Sequence, residues 1–145
     1  MTSTIQESNR TTYLRLYDAI NTRDLRVIEA TVDEVFNPDA VFHGGPPGAT
    51  TAAEAVKGAW AMLLYAFPDI QVTVDDTIAA GDKIVFRNTV TATHQGPYRG
   101  LPPTGNKINY REIFIVRFAG GKVAEGWGIV DTYSQLQQLG AIPAA

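Results

Sequence analysis

The hydrophobic pattern of this chain changes once, at Pro68, and this change restricts the possible folds more than any other feature. Before Pro68 the apolar residues recur at helical spacing, and after it they alternate along the chain. Helices followed by strands indicate an α+β fold. The 145 residues predict a single domain, residues 1–145, because two separate cores would each be small.

Three helices are predicted before Pro68. The first runs from about Gln6 to Thr22, with an apolar stripe formed by Tyr13, Leu16, Tyr17 and Ile20. Asp24 can cap a short second helix, and Thr50 or Thr51 can cap a third that ends near Phe67. Residues 40–43 form a brief apolar stretch, and the Gly/Pro-rich loop at 44–48 interrupts any strand there.

Four strands are predicted after Pro68, at about residues 70–79, 83–95, 107–118 and 122–132. Turns at Gly81-Asp82 and Gly120-Gly121 connect two pairs of these strands. The residues from Tyr133 to Ala145 form a short cap.

Composition argues against several classes of function. Lys and Arg number 12 against 15 Asp and Glu, a net charge of −3, so no nucleic-acid partner is expected. With no cysteine and two histidines, no metal site is expected. Residues 1–7 lack the features of a signal peptide and no apolar run could span a bilayer, so we expect a cytoplasmic protein without a membrane partner.

Glu112 is the most informative polar residue of the predicted sheet. The other even positions of its strand, from Ile108 to Phe118, are apolar or aromatic. A carboxylic acid on such a face has a raised pKa and suits proton transfer. The alternative is a buried ion pair with Arg99 or Arg111.

Asn88 and His94 share the apolar face of the preceding strand. An inward Asn88 can bind a substrate oxygen, and the His94 imidazole suits proton transfer near neutral pH. Each could instead satisfy a neighbouring backbone group. His43, beside the Gly/Pro-rich loop, could line the mouth of a pocket or pack within the loop.

The last strand carries Trp127 between two glycines, which indicates a bulge or a bare stretch where another group comes close. Trp127 could cover an apolar ligand or belong to the core. Asp131 could be a catalytic carboxylate or a cap for the segment that follows. Inward-facing aromatic residues predict a dry apolar pocket, bounded by Trp60, Phe86, Tyr110, Phe114 and Trp127.

Several short strings are typical of one family when they occur in this order. They are Asn37-Pro38-Asp39 with His43, Thr93-His94-Gln95-Gly96, Gly100-Leu101-Pro102-Pro103-Thr104-Gly105, Gly121-Lys122-Val123 with Glu125, Trp127 and Asp131, and Gln137-Gln138-Leu139-Gly140. Over about residues 8 to 142 the chain resembles the SnoaL-like polyketide cyclases, within the ketosteroid isomerase and nuclear transport factor superfamily.

This resemblance implies a curved, mostly antiparallel sheet wrapped as a cone around the helices, an apolar pocket inside it, no metal or organic cofactor, and a homodimer formed through the sheet. It also implies ring closure by an aldol step with an acid on the last strand, where this chain has Gly128. Phe114 stands where aromatic polyketide cyclases have a histidine. The Asp-Arg-Asp arrangement of epoxide hydrolases with the same cone has no evident equivalent.

We therefore expect a cofactor-independent acid–base enzyme, a cyclase or isomerase, that acts on an apolar carbonyl or polyketide-like small molecule. The candidate catalytic residues are Glu112, Asp131 and His94. The candidate substrate-binding residues are His43, Trp60, Phe86, Asn88, Tyr110, Phe114, Trp127 and Gly128. The alternatives are a non-catalytic module that binds a hydrophobic metabolite, an epoxide-hydrolase-like enzyme, and a structural dimerisation domain.

Overall fold

Helices and strands follow one another in the computed structural model, which describes residues 3–45 and 47–143. In chain order they are α1 Thr4–Asn21, α2 Leu25–Val35, β1 Phe36–His43, α3 Ala52–Ala66, β2 Gln71–Ala80, β3 Lys83–Thr93, β4 Lys107–Ala119, β5 Lys122–Val130 and α4 Thr132–Gln138. Parts of the predicted N-terminal segment, Gly/Pro-rich loop and tail lie outside the described residues, at positions 1, 2, 46, 144 and 145.

Two helices begin at their predicted caps. Asp24 Oδ1 accepts a hydrogen bond of 3.0 Å from the backbone N–H of Arg26, at the start of α2. Thr51 Oγ1 accepts one of 3.2 Å from the backbone N–H of Glu54, at the start of α3. Each bond satisfies a backbone donor that has no partner within its helix, so these polar residues fix where the helices start.

The five strands form one curved sheet in the order β1-β5-β4-β3-β2. The pairs β2–β3, β3–β4 and β4–β5 are antiparallel, and β1 is parallel to β5. The strand β1 was not among the four predicted strands, and it ends at His43, directly before the Gly/Pro-rich loop that was predicted to interrupt any strand. Because Pro38 lacks a backbone N–H and the ladder is irregular between Phe36 and Val41, the alternation that reveals a strand is weak there.

The inner face of the sheet packs against the helices and forms the core. Even-numbered residues of β3 and β4 face inward and odd-numbered residues face outward, as the burial pattern of these strands shows. The two strands pair without a bulge from Lys83 with Arg117 to Thr93 with Lys107, so the predicted alternation holds along their whole length. This alternation carries Asn88 and Glu112 into the interior.

Candidate functional site

Glu112 lies on the inner face of β4, as predicted, and pairs in register with Asn88 of β3. Asn88 Nδ2 donates a hydrogen bond of 3.1 Å to Glu112 Oε1, and 8% of Glu112 is exposed. Among the described residues, no Arg, Lys or His forms an ion pair with Glu112. The side chains of Arg99 and Arg111 bond elsewhere, so the alternative of a buried ion pair is wrong.

Burial raises the pKa of Glu112 to about 7, and the hydrogen bond from Asn88 opposes this only in part. Near neutral pH the residue is therefore present both as an acid and as a carboxylate. Tyr13, Tyr17 and Tyr110 have pKa values raised mainly by their own burial, with the charge of Glu112 as a further cause. These phenols therefore stay neutral around the carboxyl group.

Asn88 connects Glu112 to helix α1. It is completely buried, and its Nδ2 also donates a hydrogen bond of 3.0 Å to the hydroxyl of Tyr17. Its Oδ1 has no hydrogen-bond partner in the described part of the chain. A buried acceptor without a donor is destabilising, so this oxygen is the atom of the cluster that would gain most from a ligand hydroxyl.

Sequence reasoning placed Tyr13 and Tyr17 in the helical stripe and missed their position beside Glu112. Both residues are 5% exposed, and their rings meet edge to face at 5.3 Å. A buried tyrosine usually needs a partner for its hydroxyl. The signal for this arrangement was the spacing of the two tyrosines, which lie one helical turn apart on the buried stripe. This spacing could have indicated a polar group on the sheet facing α1.

Four of the five aromatic residues predicted to bound the pocket lie on the inner side. Phe86 and Tyr110 are buried in the core, and Trp60 and Phe114 are half-buried against it. Phe42, which was not predicted, is also half-buried, and its ring centroid lies 6.0 Å from that of Phe114. These half-buried rings are among the partly buried hydrophobic residues that pack against the core.

Trp127 and His43 lie on the outer face of the sheet, which differs from their predicted position at the pocket. Their rings stack at 5.3 Å with an interplanar angle of 18°, and His43 Nε2 lies 2.7 Å from Glu125 Oε2. The inner positions of β5 beside Trp127 are Gly126 and Gly128, and rings from other strands fill the space that their missing side chains leave. Because side chains alternate along a strand, Trp127 between these glycines faces outward.

His94 lies far from Glu112, whereas Asp131 directly follows Val130, the β5 partner of Glu112, and lines the same surface depression as Glu112. Asp131 is exposed and caps α4, and hydrogen bonds from Ser134 lower its pKa. His94 is fully buried at the end of β3, about 20 Å along the strand from Asn88. The backbone N–H of Thr104 donates to His94 Nδ1 at 3.2 Å, and His94 Nε2 has no partner among the described residues. Catalytic roles for Asp131 and His94 stay predictions.

Within residues 3–45 and 47–143, no group of three or more His, Cys, Asp or Glu side chains is placed to hold a metal ion. No helix of that part of the chain is long and apolar enough to cross a membrane.

The model of one family, the SnoaL-like polyketide cyclases, matches residues 10–139. The chain belongs to this SnoaL-like polyketide cyclase family. The matched region contains β1 to β5 and therefore all of the inner face described above. No match was found among curated proteins.

Solved structures resemble this SnoaL-like protein over nearly its whole length. IdmH from Streptomyces antibioticus, assigned as a polyketide cyclase, is 34% identical, with a TM-score of 0.77 over 91% of this chain and 98% of that chain. AclR from Streptomyces galilaeus, assigned as a hydroxylase, is 33% identical, with a TM-score of 0.80 over 94% and 83%. A protein from Jannaschia sp. CCS1, assigned as a SnoaL-like polyketide cyclase, is 26% identical, with a TM-score of 0.84 over 99% of both chains. The predicted α+β cone fold is thereby confirmed.

Two positions at which this SnoaL-like protein departs from the pattern implied by its family, Gly128 and Phe114, are direct neighbours. They pair across β5 and β4, and a Cβ atom on Gly128 would lie 2.3 Å from Phe114 Cε1. The phenyl ring therefore occupies the space in which an acidic side chain at position 128 would begin. In the described part of the chain, Glu112 is the only buried carboxylate.

Proposed function

We propose that this protein is a cofactor-independent acid–base enzyme, a cyclase or isomerase, that acts on an apolar carbonyl compound through Glu112. The observation that carries the proposal is a carboxyl group on an aromatic inner face, held by one amide hydrogen bond and, among the described residues, by no cation, with a pKa of about 7. A group with such a pKa can both accept and donate a proton at neutral pH.

The proposed reaction begins when ionised Glu112 takes a proton from the carbon next to a substrate carbonyl. The C–H bond breaks, an O–H bond forms on Glu112, and the electron pair of the C–H bond moves into an enolate. In a cyclase the enolate carbon attacks a second carbonyl of the same molecule, and the resulting alkoxide takes the proton back from Glu112. In an isomerase the substrate also has a C=C bond next to the carbon that loses the proton, so a dienolate forms and the proton returns from Glu112 to its far carbon as the double bond moves. Asn88 Nδ2 orients the carboxylate in both cases.

Apolar surroundings support this step because they remove water from the proton-transfer site. The half-buried rings of Phe42, Trp60 and Phe114 would hold the hydrocarbon part of the substrate. The unpartnered Oδ1 of Asn88 would accept a hydrogen bond from a substrate hydroxyl. Tyr110 borders the same interior and contributes a neutral wall.

The test uses 2-tetralone, an apolar ketone whose carbon-bound hydrogens next to the carbonyl exchange in D₂O. NMR measures the exchange rate with wild-type protein, Glu112→Gln and the control Asp131→Asn. We expect Glu112→Gln to lower the protein-dependent rate by roughly 10²- to 10⁴-fold while Asp131→Asn leaves it unchanged. A large loss in Asp131→Asn with Glu112→Gln unaffected would assign the chemistry to the end of β5. Equal rates in all three proteins would refute acid–base catalysis by Glu112.

A non-catalytic binding module is the second function that an observation favours, because Gly128 replaces the acid that the family resemblance implies. Under this function the wild-type protein binds 2-tetralone, as calorimetry would show, but does not accelerate its exchange. The two functions therefore give different results in the same pair of measurements.

We further propose that the protein is a homodimer formed through the outer face of the sheet. An apolar depression of about 620 Å³ lies on β4, β5 and the start of α4. Ile113, Ile115 and Ile129 border it with exposed fractions of 46%, 38% and 78%. Exposed apolar side chains in one patch favour association. Light scattering should give twice the 15.7 kDa chain mass for the wild type and the single mass for Ile129→Asp.

A further inference from the structure

A tight turn with unusual backbone geometry lies between β3 and β4, at residues 98–101. The backbones of Tyr98 and Leu101 exchange two hydrogen bonds, of 3.0 and 2.8 Å, and the two central residues have positive φ angles, 48° at Arg99 and 78° at Gly100. Asparagine, aspartate and glycine are the residues favoured at the first central position of such a turn. An arginine held there against this preference indicates a role for its side chain.

The Arg99 side chain contacts a buried pair of polar groups. Arg99 Nε donates a hydrogen bond of 3.1 Å to the hydroxyl oxygen of Tyr98, and this hydroxyl donates one of 2.8 Å to Gln135 Oε1 of α4. Tyr98 is 3% exposed and Gln135 is 1% exposed. A guanidinium group can only donate, so the Tyr98 oxygen accepts from Arg99 and the Tyr98 hydrogen goes to Gln135. This direction identifies which end of the Gln135 amide is the oxygen.

The hydrogen-bond chain continues from Gln135 to Tyr110 of β4. Burial and the charge of Glu112 raise the pKa of Tyr110, and a hydrogen bond from the Gln135 side chain opposes them. An amide nitrogen can only donate, so the hydroxyl oxygen of Tyr110 accepts this bond. Tyr110 can therefore donate its own hydrogen in another direction.

Tyr110 and Glu112 are two residues apart on the same face of β4, about 7 Å along the strand. One carbonyl compound could meet both side chains, with Glu112 at the carbon that loses a proton and Tyr110 at the carbonyl oxygen. Loss of the proton makes this oxygen negative. A hydrogen-bond donor that is already oriented stabilises such an oxygen without having to reorganise during the reaction.

We propose that Tyr110 is a further catalytic residue, whose hydroxyl donates a hydrogen bond to the substrate oxygen that becomes negative when Glu112 removes a proton. The phenol proton stays on Tyr110 throughout, so no further covalent bond breaks. Gln135, Tyr98 and Arg99 are positioning residues, because they fix the direction of this donor without touching the substrate. The inference rests on the proposed function for the reaction at Glu112, but not for the contact between Tyr110 and a ligand oxygen.

The test measures binding of 2-naphthol, a planar and unreactive analogue of the enol of 2-tetralone. Calorimetry at pH 8 gives its Kd for the wild type, Tyr110→Phe, Gln135→Glu, the variant with both substitutions and the control Tyr65→Phe, in which the altered tyrosine is 70% exposed. A carboxylate at position 135 accepts hydrogen bonds from both neighbouring tyrosines and so turns the Tyr110 hydrogen away from the ligand. Circular dichroism checks that each variant is folded.

We expect the wild type and Tyr65→Phe to bind 2-naphthol equally, and Tyr110→Phe to bind it roughly two- to tenfold more weakly, the effect of one hydrogen bond. Gln135→Glu should cause a similar loss in the wild-type background and none in the Tyr110→Phe background. A merely structural role of Gln135 would weaken binding equally in both backgrounds.

Equal Kd values for the wild type and Tyr110→Phe, equal effects of Gln135→Glu in the two backgrounds, or failure of the wild type to bind 2-naphthol would overturn the inference. If Gln135→Glu does not fold, Arg99→Gly takes its place in the same comparison, because glycine suits the turn and removes the guanidinium donor. Failure of the proposed function would appear separately, as unchanged 2-tetralone exchange in Glu112→Gln.

Discussion

The burial of Glu112 predicts how the stability of the protein depends on pH, and the substitution Glu112→Gln isolates this dependence. The pKa of about 7 in the folded protein lies about 2.5 above the ordinary value of 4.5. Between these two values the folded chain holds a proton that the unfolded chain has lost. The free energy of unfolding therefore falls as the pH rises through this window, by about 1.4 kcal/mol per pH unit and about 3 kcal/mol in all.

Gln at position 112 has the shape of the protonated acid and cannot ionise. The variant should therefore keep the stability that the wild type loses as the pH rises. From pH 4 to pH 8 the free energy of unfolding of the variant, minus that of the wild type, should increase by about 3 kcal/mol. Other titrating groups are common to both proteins and cancel in this difference. Urea unfolding followed by circular dichroism at each pH gives the two free energies.

Glu54→Gln provides the matched control, because Glu54 is exposed and hydrogen bonds from Thr50 lower its pKa. A lowered pKa contributes stability above the unfolded value that is lost as the pH falls, so this variant should show the opposite trend. A difference between Glu112→Gln and wild type that stays constant from pH 4 to pH 8 would show that Glu112 titrates normally. That result would remove the physical basis of the proposed proton transfer.

Three further substitutions test the site and two other parts of the fold. Asn88→Leu removes the hydrogen bond that lowers the pKa of Glu112. When Glu112→Gln is compared with its parent in this background, the difference in the free energy of unfolding should therefore have its midpoint above pH 7. Asp131→Ala should lower the urea midpoint of unfolding through loss of the α4 cap, with unchanged 2-tetralone exchange. Gly96→Ala would place a Cβ atom 2.2 Å from the backbone oxygen of Tyr65, so urea unfolding should show a loss of about 1–3 kcal/mol.

The parts of the fold that depend on local chemistry could be predicted from the sequence. Asp24 and Thr51 begin helices because each side chain bonds a backbone N–H two or three residues away. The inward position of Glu112 followed from alternation along one regular strand, which no bulge interrupts where it pairs with β3. In both cases the interacting groups lie within a short stretch of chain.

The parts that depend on distant residues could not be predicted in the same way. Strand β1 is held by parallel pairing with β5, which lies about 80 residues further along the chain. The local sequence of β1 does not indicate this distant partner. The rings of Phe42 and Phe114, which belong to β1 and β4, fill the inner positions at Gly126 and Gly128. Trp127, between these two glycines, therefore faces outward. The bond between Tyr17 and Asn88 joins residues 71 positions apart, so the polar cluster around Glu112 exists only in the folded chain.

The position of Glu112 also restricts how the family chemistry could operate here. Glu112 pairs with Val130, whereas Gly128, the position at which the resemblance implies an acid, pairs with Phe114. The two positions are one strand and two residues apart, so their Cα atoms are separated by about 8 Å. Glutamate is longer than aspartate by one methylene, which spans only a small part of this distance. A substrate bound between the same walls would therefore present a different carbon to Glu112 than to an acid at position 128. If Glu112 moves the proton, the bond formed or shifted differs from the one that an acid on β5 would select, and this difference follows from the sheet register alone.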